Sequence, residues 1–405
     1  MLGGSIFVLF AFAVEIGQGT TPWAFGVAGF VALLTSYSYL RLSLAYPSEG
    51  GTITFLNHAF GRGLFSSVVN TFLWLSYMVI LALYAHAFST YALWFIPMTW
   101  HFLFRPIITG GIILVLLVIN ILGVGTVGRA QIGLVLIQML LLIPFIAVGL
   151  LNITQYGHQF FIGIFPVGIL AAGMIIFVCY EGFELIANAT LDVKNPETTL
   201  PRAYYGSVLV VTTLYILLSL VAIGNFPLNQ IIGAQEYALA VVAESIMGLG
   251  GFCLIVAAAL LSTSSAMNAT IYGAAKTSAI LAQDQQLPHL FAVKVKNRPL
   301  IPLMFIAFVT ILIATFCDLY AISIMGSVGF LFIFALVNVA NLRLSKHTQS
   351  YRIIPQLGIL SCAIAIAIVL WFTTFTRPLE IVGIACLALT SLIFQIIYQK
   401  VSQKT

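Results

Sequence analysis

Charge is what this 405-residue chain has least of: Lys, Arg, Asp and Glu make up 7% of it, against roughly 25% in an average soluble domain. Water cannot solvate a surface that poor in charge, so lipid must be the solvent for most of the molecule. Clustered cations are missing too. The 16 Lys and Arg stand singly in loops, which excludes a nucleic-acid face in spite of a formal charge of +5. The five cysteines (Cys179, Cys253, Cys317, Cys362 and Cys386) lie in or beside apolar runs, with no CxxC or Cys/His spacing. They are therefore expected as small buried apolar residues, and no metal set is expected. There is no HExxH, GxSxG or pair of aspartates in the apolar runs, which argues against an intramembrane enzyme. No basic segment precedes the first apolar run and no small-residue cleavage site follows it, so no secretory signal is read there.

What is present is apolar sequence, 61% of the residues, with a mean hydropathy of +1.11. A crossing takes about 20 apolar residues, and with its loop roughly 30–35, which predicts about 12 spans. Twelve runs can be read off: 6–15, 23–44, 64–95, 107–122, 132–151, 165–189, 207–224, 248–282, 301–316, 321–342, 354–375 and 379–398. The first covers only half a bilayer. The first span is thus expected to be N-terminally incomplete, or the chain to begin inside it. Of the 16 cations, only Arg105 and Arg377 fall in loops on one side; the rest share the other side with both termini. The excess of Lys and Arg marks that other side as cytoplasmic, in a multi-pass protein of the cell (inner) membrane.

Two spans are interrupted by small or polar residues, Gly3-Gly4-Ser5 in the first and Cys179-Tyr180-Glu181-Gly182 in the sixth. Glycine in mid-helix costs about 1 kcal/mol and a carboxylate at that depth costs more. Unwound backbone is tolerated in a bilayer only where it lines a cavity or is buried in protein. A broken segment opening each half of a bundle points to an inverted-repeat transporter with its site at the midplane. Residues 1–151 would form the first repeat (helices one to five), 152–342 the second (six to ten), and 343–405 two appended helices and the C-terminus.

Further motifs accompany the breaks. Gly3-Gly4-Ser5-Ile6-Phe7 resembles the GSGIF-type break, and Tyr46-Pro47-Ser48-Glu49-Gly50-Gly51 the YPxxGG turn, of the amino acid permeases of the amino acid–polyamine–organocation superfamily. Phe177 to Glu184 resembles that family's sixth-helix break, followed by a Val193-Lys194-Asn195-Pro196 loop ending in Pro201-Arg202-Ala203. Ser262-Thr263-Ser264-Ser265-Ala266-Met267-Asn268 resembles its eighth helix. The resemblance runs over essentially the whole chain and implies an all-α membrane protein of the leucine-transporter-like 5+5 fold that moves amino acids by alternating access. Three departures stand out: Arg41 where the family often has an acid, Phe10 where proline is common, and Gln138 where many members carry a lysine. The last removes the proton-linked amine, so a lysine-based mechanism does not carry over.

An amino acid needs partners for a carboxylate and an ammonium. The N–H groups of a half-helix suit the first, and Gly3, Gly4, Ser5 and Ile6 would supply them. The carbonyls of Val178, Cys179 and Tyr180 suit the second, with Gly182 letting backbone approach the ligand. Phe177 and Tyr180 flank the break as candidate gates. Glu184 is expected to titrate during transport, a role that the resemblance supports, and Glu181 either bonds free N–H groups or touches substrate. Ser264 and Ser265 either bond back to their own helix or, as the resemblance suggests, help hold sodium. The implied coupling ion is H+ or Na+, with no other cofactor. His86 is expected as a satisfied interhelical histidine. A binding-only receptor and a polyamine permease are the competing readings; Glu181 and Glu184 alone make a poor site for several cationic groups.

Overall fold

A peptide group in lipid has no water to bond to, so a chain this apolar must close its hydrogen bonds inside helices. The computed structural model is built that way. It describes residues 3–122, 127–153, 156–161, 166–293 and 299–402, and among these there is no strand. The expected loop cations Lys294, Lys296, Arg298 and Lys404 lie outside the described residues.

Helices α1 (Ser5–Gly17) and α2 (Thr21–Ala45) are joined by one 3₁₀ turn, Gln18–Thr20. Gln18 takes φ +49 at that join, and Pro22 follows in the first turn of α2, where a missing N–H leaves nothing unbonded. Then come α3 (Thr52–Phe60), α4 (Leu64–Leu93), α5 (His101–Leu122) and α6 (Val127–Leu151). The sixth apolar run is a broken helix: α7 (Pro166–Ile175) tightens into 3₁₀ turns at Ile176–Tyr180, opens at 181–183, and resumes as 3₁₀ over Glu184–Asp192. Beyond it lie α8 (Pro196–Asn225), α9 (Leu228–Gly233), α10 (Ala238–Gln283), α11 (Leu300–Phe316), α12 (Leu319–Arg343), α13 (Ser345–Thr348), α14 (Ile353–Thr376) and α15 (Leu379–Ser402). Helix α8 begins eleven residues before its apolar run because Pro196 suits the first helical position.

Helix α10 has 46 residues and would reach about 69 Å if straight, twice the depth of a bilayer. Gly248, at φ +65 and ψ −160, bends it. The arm after the bend is long enough to cross a bilayer by itself. Ten described helical segments are long and apolar enough to cross a membrane, with α1 and α2 counted as one, and α11 is a shorter apolar helix. The chain is an all-α, multi-pass integral membrane protein.

Burial sorts the helices into an inner and an outer set. The most apolar window of α4 is 89% buried and that of α12 is 78%, against 22% for α5 and 11% for α15. Helix α1 is buried nearly throughout and packs on α7. The two breaks therefore lie in the inner set. Cysteine burial corrects one expectation: Cys179 and Cys362 are buried, whereas Cys253 and Cys386 are exposed on outward helix faces, where lipid accepts a thiol as readily as a methyl group.

Candidate functional site

Helix α1 opens at Gly4, with no side chain capping its first turn, and Ser5, Ile6 and Phe7 are at most 1% exposed. A buried, uncapped helix N-terminus is a set of unsatisfied donors with a partial positive charge. The Ser5 hydroxyl is buried and lies against the Cys179 thiol. That contact brings the first break against the sixth-helix break. Gly3 and Gly4 are there for close approach: a Cβ on Gly3 would sit 2.7 Å from Tyr84 Oη, and one on Gly4 would overlap Thr263 Cγ2. In this conformation their smallness serves the packing of α1 against α4 and α10.

The sixth-helix break is held by side chains from four elements. Ser327, on α12, accepts from Val178 N at 3.1 Å and donates to Ile175 O at 2.6 Å. Tyr215, on α8, donates to Cys179 O at 3.1 Å. Tyr84, on α4, donates to Glu181 Oε2 at 2.8 Å, and Glu184 Oε2 accepts from Gly182 N at 2.7 Å. Gly182 sits at φ +111, which an L side chain rarely adopts. Glycine is required there by the backbone itself, besides any approach to a ligand. The carbonyls of Val178 and Cys179 each accept one bond, from Glu181 N and Tyr215 respectively, which leaves each a second lone pair. Glu181 Oε1 and Glu184 Oε1 are buried without a partner among the described residues.

The two candidate gates behave differently. Phe177 stacks on Tyr180 with ring centroids 6.3 Å apart and meets Phe334 edge-on at 5.9 Å. Tyr180 is pinned to α2 by a 2.6 Å bond to Phe25 O. Tyr84, Tyr215, Ser327 and Phe334 escaped the sequence reading. They stand on helices far apart in the chain, and with 16 Tyr and 31 Phe present an aromatic ring is no signal by itself.

Elsewhere, Thr263 and Ser264 bond back to Ala259 O and Leu260 O on their own helix, and Ser265 Oγ accepts from Gln131 on α6 at 2.5 Å. It is Thr263 that touches Gly4. Gln138 is buried on α6 and its amide has no hydrogen-bond partner among the described residues.

Cavities lie toward opposite ends of the bundle. One of about 350 Å³ is lined by Gln131, Asn188, Asp192, Asn268, Tyr272 and Lys276. The other, about 130 Å³, includes Phe12, Glu15, Glu236 and Tyr320. At that second end Glu236, in the surface segment before α10, takes Thr90 Oγ1 at 2.6 Å, His86 Nε2 at 3.1 Å and the Arg105 guanidinium at 3.7 Å. Burial alone would raise its carboxyl, but the bonds from His86 and Thr90 and the charge of Arg105 outweigh it and hold it at about 2. His86 is thus satisfied between helices, as expected, and joins α4 to that segment.

The chain matches the amino acid permease family over residues 1–400. It is 33% identical to an uncharacterized protein of Methanocaldococcus jannaschii, covering 100% of this chain and 93% of that one. It is 29% identical to the inner membrane transport protein YbaT of Escherichia coli, over 85% and 80% of the two chains. It is 25% identical to the branched-chain amino acid permease BcaP of Bacillus subtilis, over 92% and 86%. With this match over nearly its whole length and an all-helical bundle around a broken sixth segment, the chain belongs to the amino acid permease family of the amino acid–polyamine–organocation superfamily.

Proposed function

We propose that this protein is a secondary active transporter of amino acids and not an enzyme, working by alternating access around the two breaks. The observation that carries the reading is the buried N-terminus of α1, without a side-chain cap at Gly4, set through Ser5 against Cys179 at the carbonyl end of the first half of helix six. The substrate carboxylate takes the N–H groups from Gly4 to Ile6, and its ammonium takes the second lone pairs of Val178 O and Cys179 O with Tyr180 O. Phe177 closes over the bound molecule in the occluded state. The chain crosses the inner membrane twelve times in a five-plus-five inverted repeat with two appended helices, both ends being cytoplasmic. The names of relatives that transport amino acids, the branched-chain permease among them, support this substrate class.

Glu184 is the coupling carboxylate in this scheme, since it joins the break at Gly182 N and keeps one oxygen unpartnered. Purified protein in proteoliposomes should take up labelled amino acids, and Glu184→Gln should flatten the dependence of uptake on pH while substrate still binds. A panel of the 20 amino acids that gives neither binding nor uptake would overturn the substrate class. A wild-type pH profile in Glu184→Gln would leave that carboxylate structural.

A further inference from the structure

At the end of the bundle that carries Glu236, a cavity of about 320 Å³ lies between α1, α7, α12 and α14, within the size range of small-ligand pockets. Glu15 reaches it from the last turn of α1, Val167 from the first turn of α7, and Arg377 from just past the end of α14. It therefore sits at helix ends, away from the two breaks. Phe12, Ala171 and Ile324 give it apolar walls.

Against those walls stand one carboxylate and one guanidinium. Glu15 is the one charged residue of α1, and it is exposed on a helix that is otherwise buried nearly throughout. It forms no ion pair among the described residues; its Oε2 accepts from the Tyr320 hydroxyl at 3.4 Å. Arg377 lies over the face of the same ring, 3.9 Å from its centre, and turns one nitrogen to Glu380 at 3.5 Å. A guanidinium has five N–H donors, so most of Arg377 is left for another acceptor. Tyr320 thus holds a negative group at its edge and a positive one over its face, and the two line one cavity without pairing with each other.

Opposite charges held apart across an open space call for a ligand that carries the complementary pair, an ammonium for Glu15 and a carboxylate for Arg377. In an α-amino acid those two groups share one carbon atom. With a charge-assisted hydrogen bond of about 2.8 Å at each end, it spans side chains too distant to meet. The apolar walls then suit an apolar side chain. We propose, on the transporter reading given above, that this cavity is a second amino acid site, holding an apolar zwitterion between Glu15 and Arg377 ahead of the central site. Phe12 and Glu15 also line the cavity of about 130 Å³, whose wall includes Val8, one turn from Ser5, so the two cavities adjoin on the way along α1 to the break.

Equilibrium dialysis of the purified full chain against labelled leucine tests this by counting. The wild type should hold two leucines per chain. Glu15→Gln and Arg377→Gln should each hold one, because losing one charge-assisted pair weakens the outer site by about tenfold or more. Both side chains are exposed, so neither change threatens the fold. Arg377→Lys, which keeps the charge, should keep the second leucine. One leucine per chain in the wild type, unaffected by Glu15→Gln and Arg377→Gln, would overturn the outer site and leave the transporter reading standing. Two leucines per chain in both glutamine variants would overturn it as well. Binding of none of the 20 amino acids would overturn the outer site and the substrate class together.

Discussion

At the scale of single residues, the break in helix six depends on partners from elsewhere in the chain. Ser327 is the plainest case, because one hydroxyl satisfies Val178 N and Ile175 O together. Ser327→Ala leaves both without that partner, at roughly 1–3 kcal/mol for each buried group orphaned. The expected result is a lower unfolding temperature and weaker uptake, with Ser327→Thr restoring both by returning the hydroxyl. An alanine variant with wild-type stability and uptake would show that the break holds its shape without α12. The sequence makes Gly182 conspicuous, since glycine beside Glu181 in an apolar run needs a reason. It leaves Ser327 unremarkable, because a serine in a membrane helix usually bonds back to its own turn, as Ser264 does here.

At the scale of elements, the broken helix is positioned by loops as well as by its neighbours. The Gly50-Gly51 turn lies against its second half: Gly51 takes φ +46, a Cβ there would overlap the Asn188 side chain, and Thr190 Oγ1 bonds both N and O of Ser48. At the opposite end of the bundle, Glu236 fastens α4 and α5 to the segment before α10. Its carboxyl is held at about 2 against an ordinary 4.5, so the charged form is the one the fold prefers. The sign follows: this contribution is fully present above the ordinary carboxyl range and is lost as pH falls toward 2. It amounts to at most about 3 kcal/mol. Glu236→Gln should lower the unfolding temperature in detergent at pH 7, and its gap from the wild type should narrow between pH 5 and 3. A gap that stays constant over that interval would remove the charge of Glu236 from the fastening. This network was only half legible. His86 could be expected to find a partner, but which acid meets it depends on the bend at Gly248, which periodicity does not reveal.

At the scale of the whole molecule, the distribution of cations decides which way the bundle faces. Hydropathy made the helices legible because lipid forces each apolar run to close its own hydrogen bonds. Orientation is a separate matter, set by Lys and Arg near the ends of spans, with acids counting for little. Arg105 and Arg377 share one end, where they reach Glu236 and Glu380 at 3.7 and 3.5 Å. Arg41, Arg62, Lys276 and Arg343 gather at the other, where Arg62 meets Asp284 at 3.3 Å and Lys276 meets Glu49 at 3.9 Å. Acids are thus present at both ends, so net charge would separate them poorly, while the count of cations separates them well. The end with Lys276 should therefore be cytoplasmic. Reporters fused after Lys194, Lys296 and Thr405 should be active in the cytoplasm, and one inserted near Glu236 should be active outside. The Glu236 position is the most informative of the four, because it lies ahead of the bend at Gly248 that divides it from the crossing arm of α10. A cytoplasmic signal there, with an external one after Lys194, would invert the bundle.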